Sequence, residues 1–448
     1  MPERSCAGPI QRREFMRIGT LALGGLALPD LLRLRTASAA AAATTAPDTS
    51  VILFWMWGGP SQLETWDCKP DAPSEYRGPL RPIRTTVPGL DVCEVFPLQA
   101  KSAQRLSLIR SLHHRMSSHN DGSIEVLTGK TPIKEDPTST ARSDHPDFGM
   151  IASKLRGPGT GGLPGYVGVP RVPFMVQPNY LGMSHAGFAA GDPAAEHYRP
   201  RNLTLDAGVD GARMSDRKSL VSQLDRYRRN HELTGALEAT DAFRQQAFEL
   251  LTSTAVADAF DLEQETSATR DRYGRHLWGQ SCLLARRLAE SGTAVITVDA
   301  LSPVPGRPIY FSWDDHANPA TGWHLEGAMR WRAPYMDQAI AALIDDVYER
   351  GLDRKIMIVA VGEFGRTPRL SSPQGVLGRD HWPSAQSALV SGGGLRMGQV
   401  VGATTSKAEY PVERPLTPQD LLATIYRHLG IDPHRQIVDY SGRPVPIL

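Results

Sequence analysis

The stretch Ile356-Met357-Ile358-Val359-Ala360-Val361, followed at once by Gly362-Glu363-Phe364-Gly365-Arg366-Thr367-Pro368, carries the reading of the fold. The first six residues are apolar, mostly β-branched, and show no alternation with polar residues. Such a run is a strand buried on both faces, as in a parallel sheet covered by helices. The glycine-rich segment that follows puts Glu363 and Arg366 just beyond the strand's carboxyl end, where ligands collect in open parallel sheets.

Runs of the same kind occur at 51–56 (Val-Ile-Leu-Phe-Trp-Met), 106–109, 294–298 and 388–390. Helical periodicity lies between them. Over 335–350, Met336, Ile340, Leu343, Ile344 and Val347 share one face, and Gly351 is a suitable stop. The segment 325–332 extends this helix upstream, with Pro334 kinking or dividing it. Thr417 is an N-cap with Pro418 in the first helical position, and Leu421, Leu422, Ile425 and Leu429 form the buried stripe behind it. Strands alternating with helices predict an α/β fold, a mostly parallel central sheet sandwiched by helices. Residues 206–283 are polar, rich in Arg and Gln and without an evident strand, which reads as a helical insertion; a separate helical domain is the alternative.

The N-terminus has the paired arginines Arg12 and Arg13, then Phe15, then a mildly apolar run over 18–28 that is too short to span a bilayer. With the alanine-rich stretch behind it, this reads as a twin-arginine signal over 1–39, cleaved after Ala39. Residues 40–448 are then one exported domain, periplasmic or extracellular, with the twin-arginine translocase as partner during export. No later stretch is apolar enough to cross a membrane. Without residues 1–39 the chain has 43 basic and 45 acidic residues, a balance that argues against nucleic acid or an anionic membrane surface. Cys6 leaves with the signal. Of Cys68, Cys93 and Cys282, the first two allow a disulfide in an oxidising compartment, a pairing that spacing alone does not decide.

Residues beyond the strand ends supply the chemistry. Asp314 and His316 are two apart, so an extended backbone points them the same way. Glu363 follows the 356–361 strand, and Asp380 and His381 stand just before 388–390. Carboxylates and imidazoles from separate strand ends suit a divalent cation, whether zinc, manganese, calcium or magnesium. Asp380 and His381 diverge on a strand; His381 is the better ligand, and Asp380 can hold an imidazole from outside. Arg366 and Arg379 suit bidentate binding of a tetrahedral oxyanion, with a surface salt bridge as the plain alternative. His113, His114 and His119 lie near the same mouth.

Together, "ILFWMWGGPSQLETWDCKP" (52–70), "SHNDGSIEVLTG" (118–129), "WDDH" (313–316), "GEFGRTP" (362–368) and "GRDHWP" (378–383) resemble an exported bacterial family of unknown function filed beside the sulfatases. The resemblance covers nearly all of the mature chain. It implies the alkaline phosphatase-like superfamily, whose members bind two divalent metals around a nucleophile at a helix start. On that pattern Asp314 and His316 match an Asp-and-His pair, Glu363 stands where a ligand pair is usual, and His381 matches the late histidine. The nucleophile position falls on His119, and Trp57-Gly58 replaces the opening aspartate. Neither the sulfatase precursor residue nor a hydroxyl nucleophile is present there.

An imidazole at 119 can act as nucleophile, as general base or as metal ligand. Ligand fits best, because a donor is missing, and Ser61, Glu64 or above all Asp67 can also contribute. The resulting expectation is a metal-dependent hydrolase of phosphate, sulfate or related esters, acting on an anionic small molecule or polysaccharide. His119, Arg366 and Arg379 are its candidate catalytic residues. The alternatives are a non-catalytic binding or assembly protein on the same scaffold, and a phosphomutase or phosphonate-cleaving enzyme.

Overall fold

The computed structural model describes residues 48–200, 203, 250–304 and 311–448. The predicted signal over 1–39 and the 206–249 part of the predicted insertion lie outside the described residues. Eight strands form the main sheet: β1 (Ser50–Trp55), β2 (Leu106–Leu112), β3 (Tyr166–Val169), β4 (Phe188–Ala189), β5 (Val295–Asp299), β6 (Ile356–Val361), β7 (Gln386–Gly392) and β8 (Gln399–Val401). Their order is β8-β2-β7-β6-β1-β5-β3-β4. All pairings are parallel except those of β7, which runs against both β2 and β6.

That reversal decides where the site's residues meet. Because β7 runs backwards, the segment preceding it lies at the same edge of the sheet as the segments following β1 and β6. His381 and Trp382 therefore pair antiparallel with Arg366 and Gly365. The apolar runs read from the sequence are strands β1, β2, β5, β6 and β7. The short strands β3, β4 and β8 have too few residues to show a period.

Five helices matter for the site and its support: α1 (His119–Thr128), α2 (Phe148–Arg156), α3 (Leu277–Glu290), α4 (Leu325–Glu349) and α5 (Pro418–His428). Ile52 and Phe54 of β1 face a core shared with α3 and α4, while Val51, Leu53 and Trp55 face a second core shared with α1, α2 and α5. The sheet is thus covered on both sides, which is why β1 and β6 are buried at every position and, apart from Ser50, wholly apolar. α4 continues through Pro334 instead of dividing there. Tertiary packing along its length offsets the lost hydrogen bond, since Met329, Ala333, Met336 and Ile340 are all buried. At α5, Thr417 and Asp420 form a reciprocal capping box with Pro418 in the first turn. Within 250–283 the chain is helical at Thr254–Phe260 and Ser267–Tyr273 before α3 begins. Among the described residues no helix is long and apolar enough to cross a membrane.

Candidate metal centre

Four side chains converge above the carboxyl edge of the sheet: His119 from the first position of α1, Asp314 and His316 from the irregular segment between β5 and α4, and His381 from the two-residue strand His381–Trp382 that precedes β7. One ligand atom of each lies within 4.8 Å of all the others. His119 Nε2 is 3.2 Å from Asp314 Oδ2. His316 Nε2 and His381 Nε2 are 3.0 and 3.4 Å from Asp314 Oδ1 and 2.9 Å from each other.

The far nitrogen of each ring is tied to an acceptor. His119 Nδ1 donates to Glu363 Oε1 at 2.7 Å, His316 Nδ1 to Asp380 Oδ1 at 2.9 Å, and His381 Nδ1 to the Ser117 carbonyl at 2.6 Å. An imidazole whose Nδ1 carries a donated proton presents a lone pair at Nε2 when neutral. With the three rings neutral, three lone pairs and the Asp314 carboxylate face one point, an arrangement that a cation satisfies. The donor set of three nitrogens and one oxygen fits zinc or a similar first-row ion.

The surroundings hold this geometry. The chain turns at Gly58 with φ +112°, and a Cβ there would come within 2.5 Å of the Asp314 nitrogen, so the turn after β1 and the Asp314 backbone can approach only across a glycine. The Gly58 N–H donates to Glu363 Oε1 at 2.8 Å, so one carboxylate oxygen serves both His119 and this turn. Glu363 Oε2 is buried with no partner among the described residues. His114 Nε2 bonds the Glu363 carbonyl at 2.5 Å. Trp57 and Phe364 flank the His119 ring at centroid distances of 5.1 and 5.2 Å. Asp315, between two cluster residues, points the opposite way into the protein and pairs with buried Arg332, as alternation along an extended segment requires.

Electrostatics follow from the packing. Burial opposes charge on His119, but the hydrogen bonds to Asp314 and Glu363 outweigh it and hold the imidazole at about 9. Burial would raise Asp314; Arg366 and the three histidines instead hold it far below the usual carboxylate range. Burial, with Arg366 and His119 nearby, pushes His381 down although Asp314 pulls the other way.

Of the residues read from the sequence, the structure brings His119, Asp314, His316 and His381 together. It sets Glu363 and Asp380 one bond further out, each on the back of a histidine. The two arginines require a correction, since both are fully buried and turn their donors, four of five in Arg366 and all five in Arg379, to acceptors inside the protein. Arg366 is fully buried and donates to Gly58 O, Gly59 O, Arg379 O and Asp314 Oδ1. Arg379, equally buried, grips both oxygens of Glu64 and the carbonyls of Thr367, Pro368 and Tyr76. The first loop is also otherwise engaged: Glu64 binds Arg379 and Ser61, and Asp67 binds Lys69 and Thr404. His113 bonds the Leu416 carbonyl. The sequence reading missed Ser117, whose contribution is a backbone carbonyl and therefore leaves no trace in residue type.

The sequence matches a family described as "Protein of unknown function (DUF1501)" over residues 48–448. The chain belongs to this family. No curated protein matches it. Among solved structures, the chain is similar to the lipoteichoic acid synthase LtaP from Listeria monocytogenes, at 10% identity and TM-score 0.37, covering 86% of this chain and 73% of that one. It is also similar to the C-terminal periplasmic domain of EcEptC from Escherichia coli in complex with Zn, at 13% identity and TM-score 0.35, covering 89% and 88%. A third is the PsFucS1 sulfatase from Pseudoalteromonas sp., at 12% identity and TM-score 0.37, covering 88% and 70%.

Proposed function

We propose that the protein is an exported metal-dependent hydrolase of phosphate, sulfate or related esters that works without a Ser, Thr or Cys nucleophile at the start of α1. The observation that carries this reading is the convergence of three histidine Nε2 atoms on Asp314, each ring pinned from behind by its own acceptor. In this reading His119, Asp314, His316 and His381 are the metal ligands. Glu363, Asp380 and the Ser117 carbonyl fix the tautomers, and Arg366 holds Asp314 in register while balancing its charge. A bound divalent ion supplies Lewis-acid polarisation of an ester oxygen. The chain's own residues orient the ligands, and Trp57 and Phe364 keep water from the flanks of His119. The superfamily resemblance of the sequence motifs supports the ester class, and the signal-like N-terminus supports export.

The test is metal analysis of protein purified from the exported fraction, followed by phosphomonoester, phosphodiester and sulfate ester model substrates. A stoichiometric divalent ion that is lost in His316→Ala and in His381→Ala, together with turnover of one ester class, is the expected result. Protein that takes up no ion from a zinc- or manganese-containing buffer overturns the reading. A second reading, a metal-binding protein without catalysis, is favoured by one observation: Arg366 and Arg379 are both fully buried and bonded to acceptors within the fold. It predicts a bound ion with all three ester classes untouched.

A further inference from the structure

Outside the metal centre, two cysteines meet at one backbone carbonyl. Cys93 lies in the short strand Val92–Cys93, fully buried, and its N–H donates to Thr65 O at 2.9 Å. Cys68, partly exposed, directs its Sγ to the same carbonyl at 4.0 Å, and its thiol meets that of Cys93. Both are free thiols in this structure. The loop that ends at Cys68 also contains Glu64, whose two oxygens accept from Arg379 Nε at 2.9 Å and Nη2 at 2.7 Å. Arg379 immediately precedes Asp380 and His381, and its own carbonyl accepts from Arg366.

We propose that Cys68 and Cys93 form a disulfide that braces the 61–68 loop, and through Glu64 and Arg379 the segment that bears His381. The step is thiol–disulfide exchange. The Cys68 thiolate, the more accessible of the two, attacks one sulfur of an external disulfide such as glutathione disulfide and releases one glutathione thiolate. Cys93 then displaces the second glutathione, so two protein thiols and one disulfide become one protein disulfide and two thiols. The adjoining Cys93 thiol, burial and the Glu64 charge all push the Cys68 thiol up, which makes the first attack slow. Cys282, buried in α3, is pushed up by burial alone and stays reduced. The proposal does not depend on a metal being bound, so it stands or falls separately from the hydrolase reading.

The full chain, purified without reductant, is equilibrated in glutathione buffers of graded oxidation, alkylated in denaturant and digested without reduction. Mass spectrometry is expected to show a peptide cross-linked through Cys68 and Cys93, with Cys282 alkylated. Reduction is expected to lower the thermal midpoint by several degrees, and the C68S/C93S double variant to lose that dependence. In Cys93→Ala, Cys68 is expected to carry only a glutathione adduct. Because the wild-type comparison needs no substitution, a misfolded variant does not blunt the test. Separate alkylation or separate glutathione adducts of Cys68 and Cys93 across the oxidising range overturn the pairing. A cross-link that leaves the midpoint unchanged overturns the bracing role.

Discussion

At the scale of single residues, the site separates groups that face the cation point from groups that hold them. Glu363 illustrates the second kind: it touches His119 Nδ1 and the Gly58 N–H but not the point where the four donors meet. Glu363→Gln preserves size and one acceptor while removing the charge that keeps the His119 tautomer. Its expected effect is a loss of about 10- to 100-fold in metal affinity with an unchanged far-ultraviolet spectrum, measured by competition with a chromogenic chelator. Glu64 and Arg379 behave as structural partners, both fully buried and gripping each other at 2.7 Å. Glu64→Ala strands a buried guanidinium, and chemical denaturation is expected to show a loss of about 3–5 kcal/mol. If instead the variant kept its stability and lost only anion affinity, Arg379 would be an anion-binding group after all.

At the scale of elements, β7 and the turn after β1 do most to shape the mouth. Gly58 is at φ +112° with the Asp314 nitrogen in the way of any side chain. Gly58→Ala therefore combines backbone strain of about 1–3 kcal/mol with a push on the very segment that carries Asp314 and His316. Both a lower unfolding midpoint and a weakened metal complex are expected, whereas the same substitution at Gly157, where a Cβ meets nothing within 4 Å, should leave metal binding intact. The α1 start shows why pattern reading stops short. His119 looks like a replaced nucleophile by position in the sequence, but its role depends on Glu363 behind it and Asp314 in front, residues brought there by other elements.

At the scale of the whole molecule, burial of acids sets a pH signature distinct from the metal centre. Asp147 caps α2, accepts from Tyr166 and is fully buried, and burial raises it from 3.8 to about 6. Between those two values the unfolded chain has released this proton while the folded chain still holds it, so stability falls as pH rises from about 4 to 6. The full effect is bounded at about 3 kcal/mol, from 1.36 kcal/mol per unit. Asparagine is an equally good cap. Asp147→Asn is therefore expected to gain on the wild type across that interval, read as the difference between urea midpoints at pH 4 and pH 6.5. A difference that stays constant with pH would show that Asp147 ionises normally in the folded state.

The strands β1, β5 and β6, the face of α4 and the cap of α5 are legible in the sequence because each depends on local composition and period alone. The same holds for which residue types could ligate a cation, and for Asp314 and His316 pointing the same way. What the tertiary structure decides is the division of labour among them. Only the sheet order, with β7 reversed, delivers His381 to the edge where His119 and Asp314 already stand. Only burial shows that Arg366 and Arg379 are fastened inside the protein, since a guanidinium reads the same in sequence whether its hydrogens meet a substrate or internal carbonyl and carboxylate oxygens.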